Sequence, residues 1–154
     1  MSELNNIALK ILSYGKGILA ADESTATMTK RLDGVDVPST LENRLLFRET
    51  LFSSSAMTDC IGGVILFDET IKQTSSKKNK IPKLISSMGS LPGIKVDTGA
   101  KVLAGSTNEK ITEGLDGLRE RLKEYNNLGA KFTKWRGVYA VSYTHLTLPT
   151  TPYV

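Results

Sequence analysis

The chain has 154 residues, 40% hydrophobic and 23% charged, which is enough for one domain with a substantial buried core. Twenty Lys and Arg against 16 Asp and Glu give a net charge of +4, but the cations are spread along the chain and argue only weakly for nucleic acid. The lone Cys60 cannot close an internal disulfide, and no apolar run approaches the ~20 residues of a membrane span, so a reducing, soluble setting is expected.

Leu4, Ile7, Ala8, Ile11 and Leu12 fall on one helical face, and Gly15 and Gly17 stop that helix. The stretch has no basic leader and no small-residue cleavage site, so it does not read as a signal peptide. Residues 18–21 form a short apolar run, read as a strand covered on both faces. Ser24 or Thr25 can cap the next helix, 28–32, which bears Lys30 and Arg31. Ser39 stands three residues before Glu42, a capping-box spacing that predicts a helix to about residue 52. Cys60 reads as a small apolar filler before the second strand, 62–70, which ends in carboxylates. Asp68 in that strand reads most simply as a cap. Lys77, Lys78 and Lys80 lie among Ser, Thr and Asn and read as a solvated loop. Residues 94–96 supply a third strand. Between 107 and 127, Ile111, Leu115, Leu118, Leu122 and Tyr125 step by four and three, predicting one long helix ended by Gly129. Residues 132–136 read as a fourth strand.

Strands alternating with helices imply right-handed crossovers and a parallel sheet, either an α/β barrel or a doubly wound sheet. Polar residues decide between them, because Asp22, Ser24, Asp68, Lys95, Asp97, Lys134 and Arg136 all fall at carboxyl ends of predicted strands, where barrels place their chemistry. Residues two apart on a strand share a face, so Lys134 and Arg136 point together, as do Lys95 and Asp97, while Trp135 points toward a helix layer as packing. Lys95 and Asp97 also suit a local ion pair. Two cations on one face call for an anion, and phosphate suits a lysine beside an arginine and a helix N-terminus. Asp22 among them is available to orient a hydroxyl or exchange a proton.

The segments GKGILAADEST, ENRLLFRE, IGGVILFDETI, PGIKVDTG, EGLDGLRERLKEY and AKFTKWR, in this order, resemble class I fructose-1,6-bisphosphate aldolase over about residues 4–138. The resemblance implies a (β/α)8 TIM barrel, of which roughly the first four β/α units are present. It implies reversible cleavage of fructose 1,6-bisphosphate to dihydroxyacetone phosphate and glyceraldehyde 3-phosphate through a lysine Schiff base, in glycolysis. No metal or other cofactor is implied, and one histidine with one cysteine could not assemble the ligand set of a zinc-dependent aldolase. Asp22 resembles the carboxylate that orients substrate hydroxyls and assists proton transfer. Lys134 resembles the second active-site lysine, whose charge beside the Schiff base depresses the pKa of the nucleophile. Ser24, Lys95 and Arg136 resemble binders of the phosphate near the aldehyde end, and Arg31 a binder of the phosphate on the ketone side. Thr27 stands where many members have serine and keeps the hydroxyl; Ala26 stands where glycine is common. The implied partner is a small phosphosugar, without nucleic acid or membrane, and the implied full-length parent is a cytoplasmic homotetramer.

The family pattern stops near residue 141, so the expected organisation is an N-terminal half barrel, 1–141, and a non-native or disordered tail, 142–154. The segment VSYTHLTLPTTPYV, residues 141–154, carries the only histidine, His145, and resembles a translated sequencing adapter. A barrel needs about 250 residues, and the strands bearing the Schiff-base lysine are expected to be missing. The chain alone is then expected to be inactive and, with two open sheet edges, prone to aggregate. The alternative is a non-catalytic fragment that binds a phosphate ligand or a protein. A transaldolase-like barrel is disfavoured by KWR and GIKVD.

Overall fold

The computed structural model describes residues 2–13 and 15–138. The elements run α1 (Glu3–Ile11), β1 (Gly17–Ala21), α2 (Thr25–Asp33), α3 (Leu41–Phe52), α4 (Ala56–Cys60), β2 (Ile61–Leu66), α5 (Asp68–Lys72), α6 (Ile81–Ser87), β3 (Leu91–Lys95), β4 (Gly99–Val102), β5 (Lys110–Glu113), α7 (Leu118–Leu128) and β6 (Phe132–Lys134). β1, β2, β3 and β6 pair in that order as one parallel sheet, and β4 and β5 form a separate antiparallel hairpin. The alternation of parallel strands with helices is the α/β arrangement expected from the sequence.

The sheet has two unlike faces. Val64, Leu66 and Ile94 point into the helix layer and form the core with Phe52, Ile71, Ile81 and Ile85, all of them buried. The other face is read from the register: Ala20 pairs with Ile65, Ile65 with Gly93, and Gly93 with Phe132, making one apolar row across all four strands. Two residues further along, Lys95 pairs with Lys134, so a charged layer sits directly above the apolar one. The Phe132 ring occupies the hollow left by two glycines; a Cβ on Gly63 would meet Phe132 Cζ at 3.1 Å and one on Gly93 would overlap the ring edge at 2.6 Å.

Several local expectations are corrected. β1 is not covered on both faces: Ile18 is 46% exposed and Ala20 is exposed, because β1 is an edge strand whose inner face looks into the open concavity. The α3 cap is Thr40, whose hydroxyl accepts from Asn43 N at 3.1 Å, and not the Ser39–Glu42 box. The Ser39 hydroxyl is instead 2.7 Å from that of Thr29. The second strand ends at Leu66, because Asp68 and Glu69 open α5, where their charge suits the helix N-terminus. The helix expected over 107–127 is a strand followed by a shorter helix. Gly114 and Gly117 have φ of 131° and 62°, which a continuous helix cannot hold, so Ile111 and Leu115 lie outside the core, 50% and 73% exposed. Cys60 is exposed, and Trp135, beyond the end of β6, is 38% exposed instead of packed under helices. His145 and the 142–154 tail lie outside the described residues.

Among the described residues, β1 and β6 each leave one edge of the sheet unpaired. The chain is therefore expected to self-associate as its concentration rises, through strand edges and the apolar concavity. In sedimentation velocity, Ile18→Lys should weaken that association by about tenfold, the worth of one buried aliphatic side chain. An unchanged profile would show that the β1 edge takes no part.

Candidate active site

The charged layer is built by the carboxyl ends of all four parallel strands. Asp22 follows β1, Phe67 and Asp68 follow β2, Lys95 ends β3 with Asp97 two residues on, and Lys134 ends β6 with Arg136 two residues on. β1 and β6 are the two outer strands, about 14 Å apart if the sheet were flat. Yet Lys134 Nζ donates to Asp22 Oδ2 at 2.6 Å. The sheet is thus curled inward, as the wall of a barrel is.

Beneath that bridge lies an open cavity of about 870 Å³, within the range of small-molecule sites. All seven residues singled out from the sequence, Asp22, Ser24, Thr27, Arg31, Lys95, Lys134 and Arg136, line it. Ser24 caps α2, its hydroxyl accepting from Thr27 N at 3.3 Å and lying 3.1 Å from the Thr27 hydroxyl. That helix N-terminus therefore opens into the cavity with its dipole and free N–H groups. Arg31, one further turn along α2, is half exposed and ion-paired to Glu23.

Lys95 and Asp97 are the most enclosed pair. Lys95 Nζ donates to Asp97 Oδ1 at 2.6 Å and to the Asp97 carbonyl at 2.8 Å, and the Asp97 side chain has no exposure. Gly99 N and Arg136 N also donate to the Asp97 carboxylate, both at 3.2 Å. Burial by itself would raise the Asp97 carboxyl; the Lys95 hydrogen bond and charge, the Arg136 N–H and the Lys134 charge outweigh it and hold the group below the usual carboxylate range. Asp97 is the post that sets the spacing between Lys95 and the 134–136 segment. The local ion pair and the shared face expected from the sequence are therefore both present.

Other cavity residues were missed by the sequence reading or read as caps. Tyr125 on α7 donates to Asp68 Oδ1 at 2.9 Å, and Lys72 bridges Asp68 at 2.7 Å and Glu124 at 3.3 Å. Burial, then the bond to Asp68, push the Tyr125 phenol up. Arg121 Nη1 donates to the Val96 carbonyl at 2.9 Å and Nη2 to the Gly114 carbonyl, tying α7 to the segment that carries Asp97. Behind the cavity wall, Arg44 grips Glu69 with Nε at 3.0 Å and Nη2 at 2.6 Å, and Arg48, without side-chain exposure, donates Nη2 to the Glu23 carbonyl at 2.5 Å. Among the described residues, no three His, Cys, Asp or Glu side chains converge as a metal site needs.

A charged layer at the strand tips, over an apolar layer, in a curled parallel sheet is the inner wall of a (β/α) barrel. The family model for fructose-bisphosphate aldolase class-I matches residues 3–151. The chain belongs to this family. It is 49% identical over 138 residues to a probable fructose-bisphosphate aldolase class 1 of Xanthomonas campestris, covering 90% of this chain and 41% of that protein. It is 50% identical over 143 residues to fructose-bisphosphate aldolase C-B of Danio rerio, covering 92% of this chain and 39% of the relative. A solved structure of fructose-bisphosphate aldolase from Plasmodium falciparum, in a complex with TRAP and a small-molecule inhibitor, superposes with a TM-score of 0.83 at 44% identity, over 87% of this chain and 39% of that one. The chain therefore has the fold of a class I aldolase of the TIM-barrel family and spans about 40% of the length of these relatives. No helix among the described residues is long and apolar enough to cross a membrane.

Proposed function

We propose that this chain supplies one wall of the active site of a class I fructose-bisphosphate aldolase, which cleaves fructose 1,6-bisphosphate reversibly to dihydroxyacetone phosphate and glyceraldehyde 3-phosphate through a lysine Schiff base. The observation that carries the reading is the Lys134–Asp22 contact of 2.6 Å, on the wall of a cavity also lined by Lys95, Arg136 and Arg31. An ammonium touching a carboxylate beside bound sugar can relay a proton between a hydroxyl and an imine nitrogen. In this reading Asp22 orients the substrate hydroxyls and Lys134 keeps a neighbouring amine neutral by like-charge proximity. Lys95, Arg136 and Ser24 hold the phosphate at the aldehyde end, while Thr27 in the first turn of α2 and Arg31 in its last turn hold the other. Family membership supports a cytoplasmic, homotetrameric parent enzyme acting on phosphosugars, with no nucleic-acid partner.

In this reading the imine-forming lysine is not among these 154 residues, so the chain alone is expected to bind and not to turn over. Calorimetry with fructose 1,6-bisphosphate should detect binding, and Lys134→Met should weaken it about tenfold or more, the worth of a charged hydrogen bond. Incubation with dihydroxyacetone phosphate and borohydride should leave the mass unchanged. A stoichiometric adduct would overturn the assignment of the nucleophile, and absence of binding would overturn the phosphosugar site.

A further inference from the structure

Glu23 stands between two arginines of opposite character. Its carboxylate is paired through Oε1 with Arg31, whose side chain is 54% exposed and lines the cavity. On its other side Arg48 has no exposure and reaches the Glu23 carbonyl with Nη2 at 2.5 Å. Three buried atoms of this group have no hydrogen-bond partner: Glu23 Oε2, Arg48 Nε and Arg48 Nη1. Glu69 Oε1 approaches Arg48 Nη1 only to 3.7 Å, because Glu69 is already held by the Arg44 fork. Leaving two guanidinium donors and a carboxylate oxygen dry and unmatched costs free energy, and the Glu23 carboxylate is near enough for its charge to favour the charged form of Arg48.

We infer that Arg48 is a positioning residue that holds the 22–24 loop through the Glu23 carbonyl and takes over the Glu23 carboxylate when Arg31 turns to an anion in the cavity. Arg31 cannot serve Glu23 and a phosphate equally well, and the buried arginine supplies the replacement partner that Glu23, only 12% exposed, cannot find in water. The anion then gains a released cation, and the backbone that bears Asp22 stays anchored throughout the exchange. The proposal rests on the phosphosugar reading only for the identity of that anion.

Two measurements on the full chain test it. Arg31→Met, at an exposed position, mimics the withdrawn arginine. In this variant the Arg48 Nε–H signal should shift and its hydrogen exchange slow about tenfold relative to the wild type, and an unchanged signal overturns the exchange. In calorimetry with fructose 1,6-bisphosphate, Arg48→Met should weaken binding about tenfold, and the same substitution made in a Glu23→Gln background should cost only about twofold. Equal losses in the two backgrounds would make Arg48 a merely structural residue and overturn the proposal. If the wild type binds no bisphosphate, the phosphosugar reading fails, while the Arg31→Met exchange measurement still decides for or against the handover.

Discussion

Asp97→Ala is expected to destabilise the chain by about 3 kcal/mol, read from the denaturant midpoint. The substitution removes the carboxylate that accepts three hydrogen bonds, from Lys95 Nζ, Gly99 N and Arg136 N, and leaves Lys95 with the backbone carbonyl alone. Breaking an enclosed ion pair from one side costs about 3–5 kcal/mol, because the remaining charge stays desolvated. The lower figure applies here, since Lys95 retains 16% exposure and can swing into the cavity. Removing both charges, in Lys95→Met with Asp97→Ala, should recover much of the loss. If the double variant is no better than the single one, the Lys95 charge is not what makes Asp97→Ala costly.

The same residue fixes the sign of an acid effect. The folded Asp97 carboxyl titrates below its ordinary value, so its contribution is fully present above the unfolded carboxylate value, about 3.9. It is lost as pH falls from there through the lowered folded value. Asp97→Asn keeps the shape and removes the titration, so its stability should be flatter than the wild type's over that acid window and lower near neutrality.

What was legible in the sequence is what short-range pattern and chemical type determine. The first two parallel strands were visible as apolar runs and the last two as short stretches carrying charge, expected at 94–96 and 132–136 and found at Leu91–Lys95 and Phe132–Lys134; the cavity residues were visible because lysine, arginine and aspartate at strand ends have few structural reasons to be there. What escaped depends on partners far along the chain. Arg44 and Arg48, one turn apart on α3, look like a solvated face until Glu69 and the Glu23 carbonyl, each 25 residues from its partner, close over them. Tyr125 reads as part of a helical stripe, and its hydroxyl finds Asp68 from 57 residues away. The β4–β5 hairpin pairs two four-residue strands without apolar alternation, so only the positive φ of Gly114 and Gly117 marks the break, and glycine alone does not announce its φ. Ser39 and Thr40 are both competent caps. The choice fell to Thr40 because the Ser39 carbonyl and hydroxyl are drawn to Arg44 and Thr29.

Gly62→Ala is expected to cost about 2–3 kcal/mol and to release α1 from the sheet. A Cβ at this position would overlap the Ile11 carbonyl oxygen and lie 2.8 Å from its carbonyl carbon. The opposing atoms are backbone, which no rotamer change can move aside, so the end of α1 must shift as a body. Ile11 is the residue α1 buries, and the loss is therefore bounded by about the worth of one buried isoleucine plus the contacts that surround it. Gly93→Ala meets a different opponent, the Phe132 ring at 2.6 Å, which can tilt at the expense of β6. Both should lower the denaturant midpoint, but hydrogen exchange separates them: α1 amides should lose protection in Gly62→Ala and keep it in Gly93→Ala, where β6 amides open instead. Uniform loss of protection in both variants would mean that α1 and β6 belong to one cooperative unit, and that the helix is held by more than the single contact at Ile11.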